Sequence, residues 1–209
     1  MKSITRQKSF DEIKRQLEGI NRAYIIGCGT CATLTKTGGK DEVLDMKERL
    51  QKEGKMVTGW TVIPTACDEM TEVSLRENDG AIQNANCILV MTCALGVSRV
   101  VSYIDKPVVP ALDTLFIGQE VSPGDFREVC AQCGHCVLGE TAGICPITAC
   151  HKHLLNGPCG GTNNGKCEVD KEKDCAWTLI YQRLKEQGRL DLMRKYQPVR
   201  NSQVVPRPR

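Results

Sequence analysis

Long apolar runs are missing from this chain of 209 residues, and none could span a membrane as a helix. The N-terminus, Met-Lys-Ser-Ile-Thr-Arg-Gln-Lys, runs into a charged amphipathic stretch with no signal-peptide core, so a cytoplasmic protein is expected. An excess of one charge sign is missing too. The formal net charge is only +3, a solvated mixed surface accounts for it, and no nucleic-acid partner is inferred. Aromatic residues are few, at 4%, and neither a Gly-x-Gly-x-x-Gly nor a P-loop spacing occurs. Gly27, Gly29, Gly38 and Gly39 therefore make a weak nucleotide-binding loop.

Cysteine is what the chain has in quantity. There are thirteen, an odd number, which argues against a simple disulfide framework. In a reducing compartment they read as metal ligands or catalytic thiols. Ligating thiols are deprotonated, so each centre with four thiolates would turn the mildly basic chain toward acidic.

Apolar periodicity places the cysteines on a framework. Ser9 and Glu12 have capping-box spacing, and Phe10, Ile13, Leu17 and Ile20 form one stripe, so a helix is expected from Ser9 to about Gly19. Strands are expected at 23–26, 60–63, 87–91 and 108–112. Helices are expected between them at about 40–53, 72–84 and 96–103, with Gly54 as a stop signal. Alternating strands and helices imply an α/β fold: a Rossmann-like or flavodoxin-like parallel sheet with helices on its faces. From Val121 onward Gly, Cys, Pro and Asn replace that pattern, so an irregular cysteine-rich segment needs metal to fold. Trp177, Leu179, Ile180, Leu184, Leu190 and Met193 then support one or two C-terminal helices. The expected divisions are an N-terminal helix at 1–20, the α/β domain at 21–120, the cluster-binding segment at 121–175, and C-terminal helices with a basic tail at 176–209. The tail from Gln197 is expected to be extended, either disordered or laid on a partner.

Cys28 and Cys31 follow the first expected strand, Cys67 the second and Cys93 the third. The carboxyl ends of parallel strands share one edge, where ligands bind, so these four thiols should converge. Four thiolates suit a tetrahedral zinc site or a [4Fe–4S] cluster. A thioredoxin-like dithiol would leave Cys67 and Cys93 without a role. Cys87 starts its strand and reads as a buried small hydrophobe.

Cys130, Cys133 and Cys136 have the spacing that holds three corners of a cubane, and Cys145 precedes a proline. Cys150, Cys159, Cys167 and Cys175 complete eight candidates for two centres. In a compact grouping Cys145 joins the first three. In a crossed grouping Cys145 serves the second centre and a later cysteine the first. Zinc is the alternative, with His135, His151 and His153 nearby.

Two sets of motifs are highly specific: Leu155-Asn-Gly-Pro-Cys-Gly-Gly161 with Gly165-Lys-Cys-Glu-Val169 and Cys175-Ala-Trp177, and Gly27-Cys-Gly-Thr-Cys-Ala-Thr33 with Thr37-Gly-Gly39. Together they resemble the methylenetetrahydrofolate reductase C-terminal-like domain family, over about residues 20–195. In one departure, Leu34 and Thr35 occupy a stretch where the family often has another cysteine. The resemblance implies a small iron–sulfur subunit, and the cysteine count suits two or three [4Fe–4S] clusters, with zinc the alternative in one site. It further implies a flavin-containing catalytic subunit as partner. A relay also calls for an electron-donor protein upstream. Nothing in the chain resembles a folate or flavin barrel, so it is not expected to reduce folate alone. A metal-stabilised scaffold that docks the catalytic subunit without conducting is the alternative function. An independent oxidoreductase with its own nucleotide or flavin is a third.

Overall fold

The computed structural model describes residues 2–199. The part of the expected tail beyond 199 lies outside the described residues. Within them the chain divides into two compact units. One takes in residues 2–116 and 122–126, the other 117–121 and 127–199.

The first unit is built on four parallel strands, β2 (Arg22–Cys28), β3 (Met56–Ile63), β4 (Cys87–Met91) and β5 (Val108–Pro110), in the order β3-β2-β4-β5. Counted among themselves, they run second, first, third, fourth. That is the flavodoxin-like order, with its topological switch between β2 and β4. β2 and β4 are covered on both faces, which is why they read as unbroken apolar runs. Tyr24, Ile25, Ile26, Ile88, Leu89 and Val90 are all fully buried.

Helices make the crossovers. α3 (Lys40–Lys52) joins β2 to β3 and buries Val43, Met46 and Leu50 along one stripe. It ends as the glycine signal implied. Gly54 takes a φ of +76°, and the amides of Lys55 and Gly54 donate to the carbonyls of Leu50 and Gln51, a Schellman closure. The expected single helix over 72–84 is two, α4 (Met70–Glu77) and α5 (Asp79–Gln83), parted at Asn78. Asn78 turns its side-chain amide to the Ser74 carbonyl, 2.8 Å away. α6 (Ala94–Val101) connects β4 to β5.

The N-terminal region differs from the expectation. It opens with a strand, β1 (Lys2–Gln7), ahead of a shorter helix, α1 (Phe10–Gln16). Ser9 caps α1 by accepting from the Glu12 amide at 3.2 Å. The residues of β1 are mostly polar and lack alternation, so nothing local announces a strand. It exists through pairing with β6 (Leu112–Ser122), in a sheet of order β1-β6-β7 with β7 at Asp125–Glu128. The expected strand at 108–112 accordingly breaks at Ala111 into β5 and the start of β6.

The second unit is largely irregular, as its composition implied. It holds the short helix α7 (Pro146–Ala149), then α8 (Ala176–Glu186) and a 3-10 turn over Leu190–Arg194. Its buried core is Trp177, Ile180 and Leu184, with Ile144, Leu154, Leu192 and Met193 packed around them. The Trp177 indole donates to the Leu154 carbonyl at 3.0 Å. Among the described residues no helix is long and apolar enough to cross a membrane.

Candidate metal centres

The carboxyl edge of the parallel sheet gathers the first cysteine group. Cys28 ends β2, and Cys31 opens α2 (Cys31–Leu34). Cys67 lies on the loop after β3, and Cys93 caps α6 just past β4. All four line one cavity of about 70 Å³ beside the β2/β4 switch, together with Ser3, Thr30, Ala66, Leu95 and Gly96. Cys28 and Cys93 are buried, Cys31 is half-buried and Cys67 is exposed.

Glycines make this convergence possible. A Cβ on Gly29 would meet the Pro64 carbonyl at 3.0 Å, and the Gly29 amide donates to the Ile63 carbonyl at 2.8 Å. The loops after β2 and β3 can thus touch. A Cβ on Gly96 would stand 2.5 Å from Thr92 Oγ1, so α6 starts hard against the end of β4. Gly38 packs on the Met91 backbone, and its carbonyl accepts from the Cys28 amide at 2.9 Å. The glycines weighed as a nucleotide loop serve close backbone packing around the thiols.

The electrostatics fit a cation. Burial pushes the Cys67 thiol up, and the nearby Cys93, Cys28, Asp68 and Cys31 push it further. Positive charge placed among these sulfurs would oppose that rise and favour the Cys67 thiolate. Leu34 is exposed, whereas Cys67 and Cys93 take places on the cavity.

A second set lines a cavity of about 20 Å³ in the other unit: Cys150, Cys159, Cys167 and Cys175, with Lys152, Thr162, Glu168 and Trp177. Gly160, with φ +81°, turns the chain so that the Gly161 amide donates to Cys159 Sγ at 3.4 Å. Cys175 caps α8. Burial alone would raise its pKa. Hydrogen bonds from the Thr178 hydroxyl, the Thr178 and Trp177 amides and the Thr162 hydroxyl outweigh burial and hold it below the usual thiol range.

Cys130, Cys133 and Cys136 lie on one loop, and Cys145 stands at the start of α7. Gln132 and Gly134 both take left-handed φ values, of 53° and 72°, one inside each Cys-x-x-Cys step. The loop therefore curls tightly, and the Gln132 amide donates to Cys130 Sγ at 3.4 Å. In both regions a backbone amide thus turns toward a cysteine sulfur.

The thiols surround these cavities without closing on a point. Among the described residues, no three or more His, Cys, Asp or Glu side chains form a ready cage for one metal ion. A single zinc would need four sulfurs at about 2.3 Å from one centre. His151 faces Asp170 at 3.5 Å, and a ring nitrogen of His153 faces the Ile147 carbonyl. Neither histidine lines the second cavity. Cys87 is fully buried at the start of β4, and burial pushes its thiol up to about 11, as expected of a small hydrophobe.

The sequence reading missed Ser3 and Thr30 on the first cavity and Lys152 and Glu168 on the second. The local sequence carries no signal for Ser3, because β1 itself was not foreseen. Lys152 and Glu168 pair with each other, and the Cys159 thiol points to Glu168 Oε1 at 3.6 Å. The hydrogen bond to Glu168 is what chiefly raises the Lys152 pKa, with Cys159 and Cys167 adding to it.

The cysteine-rich half is where a family match falls. Residues 109–203 match the model of the family described as the methylene-tetrahydrofolate reductase C terminal. No curated protein and no solved structure matches the chain. The matched segment covers just under half of the chain and carries all eight cysteines from Cys130 to Cys175. Cys28, Cys31, Cys67 and Cys93 lie outside it, in the parallel-sheet unit.

Proposed function

We propose that this chain is an electron-transfer subunit that holds iron–sulfur clusters and serves a flavin-containing methylenetetrahydrofolate reductase subunit. One observation carries the reading: eight of the thirteen cysteines line two cavities, four to each. Cys28, Cys31, Cys67 and Cys93 would hold one centre. Cys150, Cys159, Cys167 and Cys175 would hold another, leaving Cys130, Cys133, Cys136 and Cys145 for a third. The lining of the second cavity favours this compact grouping over the crossed one.

Bound [4Fe–4S] clusters would supply one-electron sites whose potentials follow charge, hydrogen bonding and exposure. The residues of this chain supply the rest. Thiolates hold the irons, and the amides of Gln132 and Gly161 offset negative charge on sulfur. The partner assignment rests on the family match and on the motifs around Cys28 and Cys159.

A metal-stabilised scaffold is the second reading, favoured by the small core of the cysteine-rich unit. Among the described residues its buried hydrophobic cluster is Trp177, Ile180 and Leu184, so metal there would support folding whether or not it conducts. Anaerobic purification with iron, sulfide and zinc analysis tests both. The electron-transfer reading expects about twelve irons per chain, with spin-resonance signals on reduction. Zinc alone, or clusters that never change oxidation state, would leave the scaffold.

A further inference from the structure

The first cavity contains a polar group that the thiol count does not use. Ser3 lies on β1, is 4% exposed, and lines the cavity with Cys28, Cys31, Cys67 and Cys93. β1 is fastened to the loop that carries two of those cysteines. Thr5 Oγ1 lies 3.0 Å from Thr35 Oγ1 and 2.6 Å from Thr37 Oγ1, and Gln7 Nε2 donates to the Thr37 carbonyl at 2.9 Å. Thr35 Oγ1 in turn donates to the Cys31 carbonyl at 3.0 Å. Residues two apart on a strand share a face, so Ser3 and Thr5 point to the same side, toward the cysteine loop.

The rest of the wall narrows what the Ser3 hydroxyl can meet. Ala32, Ala66, Leu95 and Gly96 offer apolar side chains or none, and the Thr92 hydroxyl is engaged with the Cys93 carbonyl at 3.0 Å. Sulfur is the acceptor that remains abundant. A second hydroxyl, Thr30 Oγ1, already stands 3.2 Å from Cys28 Sγ. A metal-bound thiolate has no proton to give, so in both cases the hydroxyl must donate.

We propose that Ser3 donates a hydrogen bond to sulfur of the centre held by Cys28, Cys31, Cys67 and Cys93, that Thr30 donates to Cys28 Sγ, and that these two hydroxyls raise the reduction potential of that centre. The proposal rests on the reading that this group binds a reducible iron–sulfur cluster. Donors to sulfur stabilise the more negative, reduced state over the oxidised one. The buried Ser3 acts in a low-dielectric cavity, whereas water competes with the exposed Thr30, so Ser3 has the larger effect. Ser3 and Thr30 are positioning residues for charge at the centre and are not ligands.

The test uses the full-length chain, purified anaerobically, as parent, Cys93→Ala, Ser3→Ala, Ser3→Thr and Thr30→Val. Iron per chain is measured first. The spin-resonance signal lost in Cys93→Ala identifies this centre, and its midpoint potential is then followed by redox titration. With iron unchanged, Ser3→Ala shifts that potential negative and leaves the other signals where they were. Ser3→Thr, which keeps the hydroxyl, returns it toward the parent value. Thr30→Val gives a smaller negative shift and serves as an independent arm if Ser3→Ala fails to load. Unmoved potentials in loaded Ser3→Ala and Thr30→Val overturn the proposal. If Cys93→Ala removes neither iron nor a signal, the underlying cluster assignment fails instead.

Discussion

Gly38 lies so tightly on the Met91 backbone that a Cβ there would sit far inside van der Waals contact with the Met91 carbonyl. The same glycine's carbonyl fills the place of a Cβ on Gly27, 2.6 Å away, and accepts from the Cys28 amide. Gly27 pairs with Met91 across the parallel ladder. One small residue thus joins the ends of β2 and β4 where Cys28 and Cys93 leave the sheet.

Gly38→Ala is therefore expected to destabilise the first unit by about 1–3 kcal/mol through overpacking. Metal content at the Cys28 group should fall with it. Gly80 is the control: it is exposed in α5 with open space around it, and alanine there should stabilise by about 0.5–1 kcal/mol. Denaturant titration and metal analysis of both variants check this. Equal stability of the two would refute the close-packing account.

Tyr24 has a fully buried hydroxyl with no hydrogen-bond partner, and burial pushes its pKa up from 10.0 to about 12. Tyr24→Phe removes an unsatisfied group and should be neutral or stabilising, by up to about 1 kcal/mol. The folded pKa lies above the unfolded one. Its contribution is thus fully present below pH 10.0 and is lost as pH rises through about 12. Ultraviolet titration should show one late tyrosine that disappears in the variant.

The grouping of the later cysteines has a direct test. In the compact arrangement Cys145→Ala and Cys130→Ala abolish the same spin-resonance signal, while Cys150→Ala and Cys175→Ala abolish another. Each loss is about four irons per chain. If Cys145→Ala removes the signal that depends on Cys175, the crossed arrangement holds.

Metal removal should affect the two units unequally. The first has a large continuous core around Ile25, Ile26, Leu89 and Leu50, whereas the second is centred on three buried side chains. Chelation is expected to erase amide-exchange protection across residues 127–199 and to leave β2 and β4 protected. Hydrogen-exchange mass spectrometry of chelated and untreated protein reads this difference.

Much of the candidate site follows from local pattern. Cys28, Cys67 and Cys93 come just after apolar strand runs, and parallel connection alone sends such positions to one edge. The irregular course after Val121 also follows, because that stretch lacks apolar periodicity. The break at Asn78 and the extent of α2 were not legible, since each depends on a side-chain bond or loop contact that propensity does not encode.

By itself, the sequence determined the α/β class, the alternation that puts four thiols at one end of a sheet, and the richness in cysteine from which metal binding is proposed. Those features depend on residues near one another in the chain. Only the tertiary structure decided the rest: the flavodoxin-like strand order, the cavity shared by Cys150, Cys159, Cys167 and Cys175, and the strand that brings Ser3 to the first cysteine group. β1 has no apolar pattern of its own. Its place comes from pairing with β6 and from the bonds of Thr5 to Thr35 and Thr37, across some thirty residues of chain. Contacts of that range are set by the packed fold, which is why they appear only when the chain is assembled.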